Sequence, residues 1–258
     1  MRIARIAHPQ GMSFVRLDGE GPGATAAEIE GLPFGEITLT GQRWALDDVR
    51  LLSPMLPSKV VCVGRNYADH AAEQDAEVPS EPLLFLKPST SVAGPGDSVV
   101  LPDVSDEVEH EAELAIVIGF PGARKVSREA APASIYGYTC ANDVTARDLQ
   151  RKDGQWARAK GFDSFGPIGP WIETEFDPAD AEVRCEVNGE VRQLGSTKDM
   201  VFDPAQIVSY VSHVMTLLPG DVIMTGTPAG IGPLESGDSV SVSVAGIGTL
   251  TNKVIASE

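Results

Sequence analysis

Cysteine is scarce in this chain. Three residues in 258, Cys62, Cys140 and Cys185, share no CxxC spacing. An odd, scattered set of this kind reads as reduced structural thiols, not as a disulfide framework or a thiolate zinc site. Histidine is nearly as rare. His8, His70, His110 and His213 lie far apart and no HExxH occurs, so zinc hydrolase chemistry is not expected, although "HEAE" at 110–113 resembles that motif at a glance. Positive charge is also short: 20 basic residues against 37 acidic ones give a net charge of −17. Nucleic acids and anionic membranes need a positive field, so neither is an expected partner. No apolar run approaches the ~20 residues of a membrane span. The N-terminal "MRIARIAHPQG" is too polar for a secretory leader, and the expected location is cytoplasmic.

What is present is β-rich. Residues 1–57 read as a small N-terminal α/β unit with short strands at "RIARIA", "SFVRL" and "EITLT". From residue 58 to 258 the chain turns to dense strands punctuated by glycine and proline, among them "KVVCVG", "PLLFLKP", "ELAIVIG", "IYGYTCAND", "DVIMTGTP" and "SVSVSV". The expected class for this part is α+β, with Asn188-Gly189 as a tight hairpin turn. One helix is well signalled in "DPAQIVSYVSHVMTLLPGD": Asp203 caps it, Pro204 takes the first helical position, and the apolar stripe is Ile207, Val211, Val214, Met215 and Leu218. Two more helices are expected, after "GRNY" and near "NDVTARDLQRK".

The stretch "VEHEAELAIVIG" poses a chemical problem. Read as one strand, it puts Glu109, Glu111 and Glu113 on the face that continues as Ala115 and Val117. Like charges about 6.5–7 Å apart at the mouth of an apolar face call for a positive partner. Glu111 and Glu113, with Asp143 at the end of "YGYTCAND", form an all-oxygen set suited to Mg²⁺ or Mn²⁺. A solvated strand face and a helix-capping aspartate would give the same pattern. His70 and Glu73 stand at i, i+3, where a carboxylate can orient an imidazole as a general base, or where the two form a surface ion pair. Lys87 closes the apolar "PLLFLKPS" and Lys160 precedes the loop "GFDSFGP"; a lysine at the end of a buried strand either snorkels to water or holds an anion. The loop "TGTPAGIG" at 225–232 offers backbone N–H groups to a carboxylate but lacks the Gly-Lys ending of a phosphate-binding loop.

Taken in order, "GRNYADHAAE", "LFLKPSTSVAGPGD", "HEAELAIVIG", "GYTCANDVTARDLQ", "AKGFDSFGPIGP" and "LLPGDVIMTGTPAGIG" resemble the fumarylacetoacetate hydrolase family over roughly residues 59–254. The resemblance implies a mixed β-sandwich roll, a homodimer, a bound Mg²⁺ or Mn²⁺ and a small 2-oxo acid substrate. It places the metal carboxylates on Glu111, Glu113 and Asp143, leaving Glu109 outside the set. It places a water-activating pair on His70 and Glu73, a carbonyl-facing lysine on Lys160, and substrate contacts on Arg65, Lys87, Gln150 and Thr227. An aspartate that the longer eukaryotic members carry ahead of the histidine is missing here, where the chain reads "VVCVG", which marks a shorter bacterial-type member. The implied reaction is C–C hydrolysis of acylpyruvates or decarboxylation of oxaloacetate. The alternatives are isomerisation of a dienedioate of the 2-hydroxyhepta-2,4-diene-1,7-dioate type and, in another class, non-catalytic metal-dependent binding of organic acids. Residues 71–82 lack an apolar stripe and are expected to act as a lid.

Overall fold

A computed structural model describes residues 1–257. Its main sheet has twelve strands. The strand Ala112–Ile118 lies inside it, between Ile135–Asn142 and Val222–Met224. All seven of its residues are buried. Ala112, Leu114, Ile116 and Ile118 point into one core cluster, and Ala115 and Val117 into another. The first core lies against a five-stranded sheet that supplies Val183, Cys185, Val240, Val242 and Val254. Burial on both faces is why this segment is aliphatic without a break after Glu113.

The first fifty residues add strands to the same sheet. Arg2–His8 pairs with Gly166–Glu173 through Arg2 opposite Glu173 and Ile3 opposite Ile172. Gly11–Asp18, Thr25–Ile29 and Leu39–Ala45 continue outward, and the helical share of this unit is the single 3₁₀ turn Leu46–Asp48. Asn188 and Gly189, at φ of 54° and 80°, form the expected two-residue hairpin turn.

Four helices follow the signals only in part: α1 (Ala68–Glu73), α2 (Arg147–Asp153), α3 (Ala157–Lys160) and α4 (Pro204–Val214). In α4 the Asp203 side chain accepts from the Gln206 N–H at 2.8 Å, as the capping pattern predicts. The helix stops earlier than its apolar stripe predicts. Met215 is extended, and Leu217 forms a bridge with Ala123 through two 2.9 Å hydrogen bonds. Leu217 is therefore the buried residue, while Val214 and Leu218, expected in the core, are 58% and 48% exposed. All three cysteines are buried and unpaired. No helix among the described residues is long and apolar enough to cross a membrane.

Candidate active site

The three glutamates do not share one strand. Val108–His110 pairs with Thr145–Ala146 and Gly232–Pro233, then the chain steps across Glu111 into Ala112–Ile118. Glu111 occupies the step, where its N–H donates to Asn142 Oδ1 at 2.9 Å and its carbonyl accepts from the Asp143 N–H at 2.9 Å. These two bonds bring Asp143 beside it. Glu113 keeps the strand geometry and points the same way. Glu111, Glu113 and Asp143 each bring one oxygen within 4.8 Å of the others, and all three are buried.

The missing positive charge is supplied from three elements. Lys160, at the end of α3, donates to Glu111 Oε2 at 2.9 Å and to Asp143 Oδ2 at 2.8 Å. Arg147, the first residue of α2, donates to Glu111 Oε1 at 2.5 Å and to Glu109 Oε2 at 2.8 Å. Lys87 donates to Asp143 Oδ1 at 2.6 Å and to the Val144 carbonyl at 3.0 Å. Among the described residues Glu113 forms no ion pair. Its bond is to the Gly226 N–H at 2.6 Å, which Gly226 reaches at φ +102° with its Cα packed on Asn66, where a Cβ would come within 2.7 Å.

Electrostatics follows the pairing. Burial pushes the Glu113 carboxyl well above the usual range, and the nearby Asp143 and Glu111 charges push it further. Burial acts on Glu111 in the same direction, but Lys160 and Arg147 outweigh it and hold this carboxyl below the usual range. Burial works against the Lys160 charge, yet the Asp143 and Glu111 carboxylates raise its pKa. Lys160 is thus a fixed ammonium. The donor set is all oxygen, buried and one cation short, which fits a hard divalent ion such as Mg²⁺ or Mn²⁺ held by Glu111, Glu113 and Asp143.

His70 on α1 lines the same inner chamber as these carboxylates, together with Arg65, Gln74, Phe85, Arg147, Gln150, Trp156, Lys160 and Thr227. The free space there is only about 10 Å³, room for one water or one ion. Arg65, Gln74, Arg147, Gln150 and Trp156 also line an outer cavity of about 470 Å³, the right scale for a small organic acid. His70 is 4% exposed, and its Nδ1 lies 3.4 Å from Glu73 Oε2 without forming a hydrogen bond. Glu73 instead accepts the Gly230 N–H through both oxygens, at 3.0 and 3.2 Å. The glycine-rich loop therefore does offer N–H groups to carboxylates, and in this structure they are the protein's own Glu113 and Glu73.

The remaining expected contacts divide. Arg65, in a left-handed turn at φ 57°, faces both cavities with its guanidinium over the Trp156 ring at 6.0 Å. Gln150 lines both as well, its carbonyl accepting from Arg147 at 2.6 Å. Thr227 lines the inner chamber, but its hydroxyl donates to the Ala112 carbonyl at 2.9 Å and accepts from Gln193 at 2.7 Å. Lys87 is fully buried behind Asp143 and lines neither cavity, so it positions that carboxylate from the protein side. Sequence reasoning passed over Arg147, although it stands inside the "NDVTARDLQ" motif, and Trp156, an isolated aromatic in polar "DGQWARAK". Trp156 packs so closely that a Cβ on Gly64 would come within 2.8 Å of its ring.

Residues 59–255 match the family model "Fumarylacetoacetate (FAA) hydrolase C-terminal", and residues 1–54 match "Rv2993c-like, N-terminal". The chain belongs to the fumarylacetoacetate hydrolase family. Within it, Protein Rv2993c of Mycobacterium tuberculosis is 54% identical, over 99% of this chain and 98% of its own. The human mitochondrial oxaloacetate tautomerase FAHD2A is 42% identical, over 95% of this chain and 85% of its own. Among solved structures, a 5-carboxymethyl-2-hydroxymuconate delta-isomerase from Mycobacterium smegmatis superposes with a TM-score of 0.95 at 54% identity, covering all of both chains. The strand-rich, multi-sheet architecture is that of these family members.

Proposed function

We propose that this protein is a Mg²⁺- or Mn²⁺-dependent enzyme that moves a proton on the carbon beside the carbonyl of a small 2-oxo dicarboxylic acid, as a tautomerase or isomerase. The observation that carries this reading is the placement of His70 in one chamber with the buried triad Glu111, Glu113 and Asp143. The names of the human relative and the mycobacterial structure, a tautomerase and an isomerase, point to the same proton-transfer chemistry. When bound, the ion supplies Lewis-acid stabilisation of negative charge on the substrate's carbonyl oxygen. His70, with Glu73 behind it, removes the proton next to the carbonyl and returns it at the new position. Lys160 stays protonated and adds a fixed positive charge where electron density accumulates. Trp156 and Arg65 line the chamber where it meets the outer cavity.

The test is exchange of the C3 protons of oxaloacetate for deuterium, followed by proton NMR with Mg²⁺ or Mn²⁺ present and after chelation. Exchange no faster than in buffer with either ion would rule the reading out. A second reading is hydrolysis of acylpyruvates or decarboxylation of oxaloacetate, and the free space of about 10 Å³ beside His70, which accommodates one water, favours the hydrolysis. Acylpyruvate cleavage then depends on His70 far more than decarboxylation does, since only the former needs an activated water. A non-catalytic binder has no use for a base, so turnover that disappears in His70→Ala excludes it. A homodimer is proposed on the free edge of Leu83–Lys87, where Leu83 and Leu86 are 36% and 46% exposed, and light scattering checks it.

A further inference from the structure

Among the described residues, three buried side-chain nitrogens without a hydrogen-bond partner line the inner chamber: Arg65 Nε, His70 Nδ1 and Gln74 Nε2. Buried polar groups are rarely left unpaired, because each lost partner is costly, so three around one small space mark a place built for acceptor oxygens. His70 already has its neighbour in Glu73, 3.4 Å away. Arg65 and Gln74 are left with donors aimed at no protein atom.

Of the five residues that line both cavities, Arg147 spends its donors on Glu109, Glu111 and Gln150, and the Gln150 carbonyl accepts from Arg147. Trp156 presents its ring to Phe85 and Arg65. Gln74 differs from all of these. It caps α1, its N–H accepted by the His70 and Ala71 carbonyls, and the chain then reverses through Asp75 at φ 52° and closes with the Ala76 N–H on the Ala71 carbonyl at 2.9 Å. That reversal sets Gln74 at the boundary between the inner chamber and the outer cavity, both of which it lines.

We infer that Gln74 is a specificity-determining residue whose side-chain amide, beside the Arg65 guanidinium, binds the distal carboxylate of the substrate. This rests on the functional reading above and adds to it the substrate class: a small 2-oxo acid that carries a second carboxylate. The acid lies in the outer cavity with its 2-oxo end turned toward the inner chamber that holds the triad, and Gln74, which lines both, meets its other end. A neutral amide beside a cation favours a carboxylate there over a methyl group.

The test compares oxaloacetate with 2-oxobutyrate, which carries a methyl group in place of the distal carboxylate. C3 deuterium exchange is measured on Mg²⁺-loaded wild type, Gln74→Leu and Gln74→Glu, and oxalate binding is measured by calorimetry. Gln74→Leu is expected to raise KM for oxaloacetate about tenfold or more, the value of a hydrogen bond to a charged group, with kcat within about threefold. KM for 2-oxobutyrate and the affinity for oxalate stay at wild-type values. Gln74→Glu raises KM for oxaloacetate further, by like-charge repulsion. An equal rise for both acids, or weakened oxalate binding, overturns the inference by showing that the side chain only shapes the chamber, and an unchanged KM overturns it too. Wild-type protein that exchanges neither acid refutes the functional reading itself and this inference with it.

Discussion

Neighbouring carboxylates in this site carry opposite energetic signs, and replacing Glu113 and Glu111 in turn by glutamine exposes the difference. Glu113 is buried beside Asp143 and Glu111, and the Gly226 N–H and the Lys160 charge offset that burial only in part. Glutamine keeps an acceptor for that N–H and removes the ionisable group, so metal-free Glu113→Gln should gain about 1–3 kcal/mol at neutral pH. For a domain of this size that is roughly 2 to 12 °C in Tm. Glu111 instead joins Lys160 at 2.9 Å and Arg147 at 2.5 Å. Glu111→Gln leaves both cations under-compensated in a buried setting, and the expected loss is about 3–5 kcal/mol, or roughly 6 to 20 °C. A raised folded-state pKa means that the folded protein holds a proton the unfolded chain has released. The Glu113 penalty is therefore absent below the unfolded value of about 4.3, grows as pH rises above it, and is constant above the folded value. Thermal unfolding in a chelator from pH 4 to pH 8 measures both. Parallel destabilisation by the two substitutions, or a Glu113→Gln gain that grows toward acid, would refute the assignment of charges.

Further outcomes follow from the same geometry. Because burial and two neighbouring carboxylates keep the Glu113 pKa high, Mg²⁺ must displace a proton to bind, so affinity should rise with pH and calorimetry in buffers of different ionisation enthalpy should register proton release. Lys87→Met removes a fully buried ammonium from Asp143 and should cost about 3–5 kcal/mol, read by denaturant unfolding, although this lysine lines neither cavity.

Local pattern carried the site as far as residue identity, and long-range pairing decided the rest. The period of two put Glu113 on the face of Ala115 and Val117, and that geometry holds because both sides of this strand are packed. The break at Glu111 depends on which strands pair with Val108–His110, and no spacing within "VEHEAE" encodes it. Arg147 reaches back 36 and 38 residues to Glu111 and Glu109. Its motif was visible, but its partners were not. Lys87 at a strand end looked equally suited to reaching water, until Asp143, 56 residues on, turned it inward. In α4 the cap at Asp203 is local and legible, whereas the stop at Val214 is set by the bridge between Leu217 and Ala123.

Whether His70 moves a proton beside a metal-binding triad to which it does not belong is decided by C3 deuterium exchange in His70→Ala. Exchange on oxaloacetate should fall by about 10² to 10⁴, the usual contribution of a positioned general base, while Mg²⁺ affinity stays at the wild-type value. Exchange that persists at the wild-type rate, or that is lost together with Mg²⁺ binding, would contradict that role.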